Sequence, residues 1–209
     1  MPEKSRTPHT YSDIANGMRV ERGWSSKYFV TNPAKQECVL KNPYILVTDK
    51  EIERMSQIEH LVVPSLTEKR PFLIIGKVSD DVLMAMNNNV TRGIIQFCNL
   101  GMPDISFKGS ETLEDIALMT GARYFSEGSG DNFELLQTID LGTAPKVVVG
   151  VNHTIIFVNE KINEDQDIAI ENRKAEICQR IDEASDTNEV LRLKERLANL
   201  SNGVGIVYV

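Results

Sequence analysis

The chain has 209 residues, 41% of them hydrophobic and 25% charged, and a net charge of −7. That length carries one well-buried core, and that balance excludes a disordered chain. The acidic excess argues against a nucleic-acid surface, which needs a stripe of Lys and Arg to neutralise phosphates. No apolar run approaches the roughly 18 residues of a membrane span, and the polar start Met1-Pro2-Glu3-Lys4 lacks the apolar core of a signal peptide. Cys38, Cys98 and Cys178 are far apart and form no C-x-x-C pair. A reducing, cytoplasmic location without a zinc site is the expectation.

Residues 1–15 are polar with two prolines and are expected to be a flexible leader, ordered structure beginning near Asn16. A strand-like 18–22 is followed by the loop Gly23-Trp24-Ser25-Ser26-Lys27-Tyr28-Phe29. Residues 44–47 read as strand, 51–63 as helix, 71–78 as strand, 79–91 as helix, 93–98 as strand and 110–120 as helix. That alternation indicates an α/β core. Ser79 is placed to cap the second helix, with Asp80 and Asp81 in its first turn, and Gly121 to close the third. Residues 146–150 and 154–158 form a β-branched hairpin. Two helices follow, over 165–185 and 187–200, with Ile168, Ile177 and Ile181 on one stripe and Val190, Leu193, Leu197 and Leu200 on the other. Charges including Arg173, Arg192 and Arg196 surround the stripes as a solvated rim. Residues 203–209 read as a last strand.

The aromatic loop gathers Trp24, Tyr28 and Phe29 on a connecting segment. Loops run over surfaces, so the rings read either as a binding surface or as a small core under the loop. The helix over 51–63 has apolar residues on two arcs: Ile52, Met55, Val62, Val63 and Leu66 on one, Ile58 and Leu61 on the other. Only one arc can be buried against the domain. Glu59 lies in the larger arc, where a dry site would penalise its carboxylate, so that arc is expected to be the open one. Pro64 is expected to end or kink the helix. On the second helix Val82, Leu83, Met86 and Val90 share an arc that Asn87, Asn88 and Asn89 interrupt. His9, His60 and His153 are scattered, and Asp80-Asp81 and Asp165-Gln166-Asp167 continue into no calcium loop. Glu127-Gly128-Ser129-Gly130 lacks the first glycine of a nucleophile elbow and reads as a flexible loop, and no phosphate-binding glycine motif occurs. No metal, cofactor or enzymatic chemistry is expected of this chain.

From about Asn16 to Val209 the sequence resembles the apical domain of GroEL-type (group I) chaperonins. The resemblance rests on the order and spacing of the aromatic loop, Thr48-Asp49-Lys50-Glu51-Ile52, Arg70-Pro71-Phe72-Leu73-Ile74-Ile75, Val90-Thr91-Arg92-Gly93-Ile94-Ile95, Leu113-Glu114-Asp115-Ile116-Ala117-Leu118-Met119-Thr120-Gly121 and Leu193-Lys194-Glu195-Arg196-Leu197-Ala198-Asn199-Leu200. It implies an α/β apical fold of the swivelling β/β/α type, a β-sandwich core flanked by helices, with a C-terminal helical hairpin. It implies a chaperone that captures non-native polypeptide on Trp24, Tyr28 and Phe29 and in a groove between two helices, through Ile58, Glu59, Leu61, Val62, Leu83, Asn87 and Asn88. ATP and Mg²⁺ would belong to another domain of a ring-forming parent, whose subunits, with a co-chaperonin, are the further partners; the isolated domain would be a monomer. Glu59, Asn87 and Asn88 stand where the family usually has apolar residues. A more selective groove follows, and with it altered dependence on a co-chaperonin lid. The rival reading is an assembly domain that binds one dedicated native partner.

Overall fold

The computed structural model describes residues 12–13, 17–101, 107–158, 164–201 and 206–207. In chain order the strands are β1 (Ser12–Asp13), β2 (Gly17–Val20), β3 (Cys38–Lys41), β4 (Tyr44–Thr48), β5 (Phe72–Ile75), β6 (Phe97–Leu100), β7 (Tyr124–Phe125), β8 (Gly142–Thr143), β9 (Lys146–Val149), β10 (Thr154–Phe157) and β11 (Ile206–Val207). The helices are α1 (Glu59–Glu68), α2 (Asp80–Thr91), α3 (Phe107–Thr120), α4 (Glu164–Glu183) and α5 (Thr187–Leu200).

Two larger sheets build the mixed α/β body. One is antiparallel, in the order β2-β10-β9-β3, and alternates buried with part-exposed residues along β9 and β10. The other runs β6-β5-β4-β7 in parallel, with β8 antiparallel on β4. Every residue of β4, β5 and β6 is buried, the pattern of a sheet covered on both faces. α2 and α3 lie against this sheet, while the Cys38 thiol of β3 meets Cys98 of β6 and Gln96 Nε2 donates to Val39 O at 3.0 Å. These contacts join β3 and β6, an edge strand of each sheet.

The expected elements recur with shifted edges. Ser79 caps α2 with its side chain accepting from the Val82 amide, and Gly121 (φ +70°) ends α3 with Ala122 N bonded to Ala117 O. The hairpin of β9 and β10 closes with Gly150 N donating to His153 O at 2.8 Å. A Cβ on Gly23 would sit 1.9 Å from Val151 O, so only glycine lets the aromatic loop lie on this turn, where Trp24 N donates to Gly150 O.

The helix expected over 51–63 is corrected to Glu59–Glu68. Residues 51–58 are taken by tertiary pairing instead: Ile52 bridges Val78, its amide donates to Lys77 O and its carbonyl accepts from Ser79 N. Gln57 Oε1 then gathers the Glu53 and Arg54 amides into a 3-10 turn. Pro64, expected to end or kink the helix, does not end it; α1 runs through Pro64 to Glu68. The strand expected over 93–98 starts only at Phe97, because residues 93–96 leave α2 in a turn. β3, β7 and β8 were not expected. Ser12–Asp13 of the expected leader pairs with Ile206–Val207; the rest of residues 1–15, and of the expected strand 203–209, lies outside the described residues.

The loop 127–130 is tied at its base. Asp49 accepts from Glu127 N at 2.7 Å, from Tyr124 Oη at 2.7 Å and from Ser126 Oγ at 3.3 Å. Burial first, and the Asp49 acceptor as well, push the Tyr124 hydroxyl up to about 12 against the opposing hydrogen bond with Ser110.

The charged rim of the α4–α5 hairpin is the largest departure. Arg196 is 5% exposed and Asp115 of α3 is 0%, so these charges are inside. Arg196 Nε and Nη2 grip Asp115 at 2.7 and 3.0 Å, Arg173 Nε reaches the same carboxylate at 3.1 Å, and Arg180, Arg192 and Arg196 converge on Glu111 at 2.7–2.9 Å. Ile168 is exposed and Ile170 takes its place in the buried stripe with Ile177.

Candidate functional site

α1 carries Glu59, Val62, Val63 and Leu66 at i, i+3, i+4 and i+7, a spacing that lines one flank of a helix. Opposite stands the segment that leaves α2. Gly93 (φ +67°) donates to Val90 O and Ile94 to Asn89 O, a Schellman closure that needs a left-handed residue. It stops α2 at a fixed point and sends Ile94 and Ile95 toward α1.

Between the two lies a trough. Its first part, about 270 Å³, is bounded by Met55, Glu59, Val62, Val63, Leu66, Asn89, Ile94 and Ile95. The second, about 350 Å³, shares Leu66, Ile94 and Ile95 and continues to Lys69, Arg70 and Gln96. Val63, Leu66 and Ile94 are 50%, 37% and 51% exposed. Three adjacent aliphatic side chains half in water, on a concave surface, are what a buried core avoids and a partner surface uses.

The two ends of the trough carry opposite charge. The Glu59 carboxylate is exposed and, among the described residues, forms no ion pair or hydrogen bond. Lys69 closes α1 in a left-handed conformation (φ 55°) with its ammonium likewise unengaged. Arg70 beside it is held: its guanidinium stacks 3.8 Å over the Tyr44 ring, and it donates to Asn42 O at 2.9 Å and Oδ1 at 3.2 Å. Burial, then the hydrogen bond to Glu68, raise the Tyr44 hydroxyl above its ordinary range.

Of the residues expected to bind polypeptide, Glu59 and Val62 line the trough, but Val62 is 6% exposed and forms its buried floor rather than open wall. Ile58 and Leu61 are 0% exposed; they form the inward face of α1 and are corrected to core residues. Phe29 is corrected too: the 3-10 turn Lys27–Phe29 packs against α2 and buries the ring. Trp24 is partly buried against the core, its indole Nε1 donating to Gln36 O at 3.1 Å. Tyr28 alone of the three rings stands out, at 56%. Leu83 is partly buried against the core, Asn88 is exposed and Asn87 is half-buried with its Oδ1 left without a hydrogen-bond partner. At 100° per residue Asn87 lies about 160° around α2 from Asn89, so Asn89, not Asn87 or Asn88, is the trough wall.

Sequence reasoning missed Asn89, Ile94, Ile95 and Lys69. Gly93 after Thr91-Arg92 was the available signal, since a glycine just past a helix marks its end; it would have turned residues 94–95 from strand into wall. Lys69 had no such signal.

No protein-family model matches the sequence. Among the described residues no group of His, Cys, Asp or Glu is placed to hold a metal ion, and no helix is long and apolar enough to cross a membrane.

Proposed function

We propose that this chain is a substrate-binding domain of a ring-forming chaperonin, capturing exposed apolar segments of non-native polypeptide without chemistry of its own. The observation that carries the reading is the half-exposed aliphatic trough of Val63, Leu66 and Ile94 beside α1. Burying one such side chain under a ligand contributes roughly 1.5–3 kcal/mol at full burial, about half of that when the side chain starts half covered. Three together contribute about 2–4.5 kcal/mol, short of the roughly 8 kcal/mol of a micromolar complex, so a captured segment gains the remainder from contacts beyond these three side chains. The reading also draws on the resemblance in the order of motifs, which places ATP and Mg²⁺ on a separate domain of the parent. Glu59 and Asn89 in the trough make capture more selective than on an all-apolar wall, and a lid-like co-chaperonin finds fewer apolar partners there.

Fluorescence anisotropy with a panel of unrelated apolar peptides tests this. Binding to many of them, weakened about tenfold or more by the paired change Val63→Ser and Leu66→Ser, is the expected result. Those side chains are part-exposed, so the fold tolerates the change. Binding to none, or recovery of one native protein alone, would replace capture by assembly with a dedicated partner.

A further inference from the structure

The trough is dipolar, and its two charges lie along the axis of α1. Glu59 opens the helix and Lys69 closes it. Ten residues at 1.5 Å each set them about 15 Å apart, the span of four to five residues of extended peptide. Between them the exposed surface is Val63, Leu66 and Ile94 over the buried Val62. Both charges are exposed and unengaged among the described residues, whereas Arg70 next to Lys69 is already occupied by Tyr44 and Asn42. A solvated charge beside an apolar trough repels a like charge on an occupant and attracts its opposite.

The geometry points to a specific occupant: an extended apolar segment of about four residues with a basic residue at one end and an acidic residue or terminal carboxylate at the other. This rests on the reading of the trough as a polypeptide site and adds its specificity. Lys69 and Glu59 are then specificity-determining residues, holding one segment orientation in register while the aliphatic wall supplies affinity.

The test uses the full chain and fluorescein-labelled peptides with one shared four-residue aliphatic core, flanked by lysine and aspartate, by lysines only, by aspartates only, or by serines. Each pair of exposed opposite charges contributes a factor of about two to five. The wild-type chain is expected to prefer the lysine–aspartate peptide over the serine peptide by that factor or more, and the preference is expected to vanish in molar salt, where screening reaches about 3 Å. Glu59→Lys moves the preference to the aspartate-only peptide and Lys69→Glu to the lysine-only peptide. The double exchange, which restores the net charge of −7, returns it to the mixed peptide and so separates local pairing from the field of the whole chain. Circular dichroism confirms that each variant is folded, and Glu59→Gln, which removes the charge without reversing it, is expected to level the preference at that end. Equal binding of all four peptides to every variant overturns the dipolar specificity and leaves capture intact. Binding of none to the wild-type chain overturns both.

Discussion

At the residue scale, neighbours in sequence part company. Tyr28 and Phe29 are consecutive, yet the first is 56% exposed and the second 1%, because a 3-10 turn rotates successive side chains by about a third of a turn. Phe29→Ala is expected to cost about 3–5 kcal/mol of stability, the range for emptying a buried aromatic site; Tyr28→Ala leaves the unfolding free energy within about 0.5 kcal/mol, as surface changes do. Urea unfolding of both variants checks this, and equal losses would mean that the two rings share one environment. Glu59 belongs to the same scale. Its charge was readable as misplaced for a core, and its position on the trough wall agrees with that.

At the element scale, the α4–α5 hairpin is held to α3 by a buried charge cluster rather than by apolar stripes alone. Asp115 faces Arg173 and Arg196, and Glu111 faces Arg180, Arg192 and Arg196. Burial penalises the Glu111 charge, but the hydrogen bond from Arg180 and the fields of Arg196 and Arg180 outweigh it and leave the carboxyl below the usual glutamate range. A carboxyl lowered by folding contributes stability above its unfolded-chain value of about 4.3 and loses it as the pH falls through its folded value. The hairpin is therefore expected to loosen from α3 below about pH 4, seen as faster amide exchange in α4 and α5 than in β4 and β5. Asp115→Ala, which leaves the buried Arg196 with Glu111 as its one remaining carboxylate partner among the described residues, is expected to cost about 3 kcal/mol or more at neutral pH.

At the scale of the molecule, the two sheets meet through a thiol pair. Cys38 and Cys98 are 0% exposed, and burial, with the neighbouring Cys38 thiol, pushes Cys98 well above its ordinary range. Such thiols are inert until the sheets separate, whereas Cys178 is exposed. A thiol reagent is expected to modify Cys178 quickly in the native state and Cys38 and Cys98 together, at the rate of global opening. Early, independent modification of Cys38 would mean that the antiparallel sheet opens alone.

Local signals settled much of this protein. Ser79 and Gly121 marked helix ends by their own backbone chemistry, β-branched runs marked β9 and β10, and the spacing of Leu193, Leu197 and Leu200 marked α5; these depend on residues a few positions apart. Glu59 among apolar neighbours even indicated which flank of α1 faces water. Other features depend on partners remote in sequence. The residues 51–58 read as helix until Val78 and Ser79 claimed their backbone, Phe29 read as surface until α2 covered it, and Arg196 read as solvated until Asp115 met it 81 positions away. Periodicity records which face of an element is apolar, but whether that face meets a core, a charge or open water is decided by which distant segment folds against it.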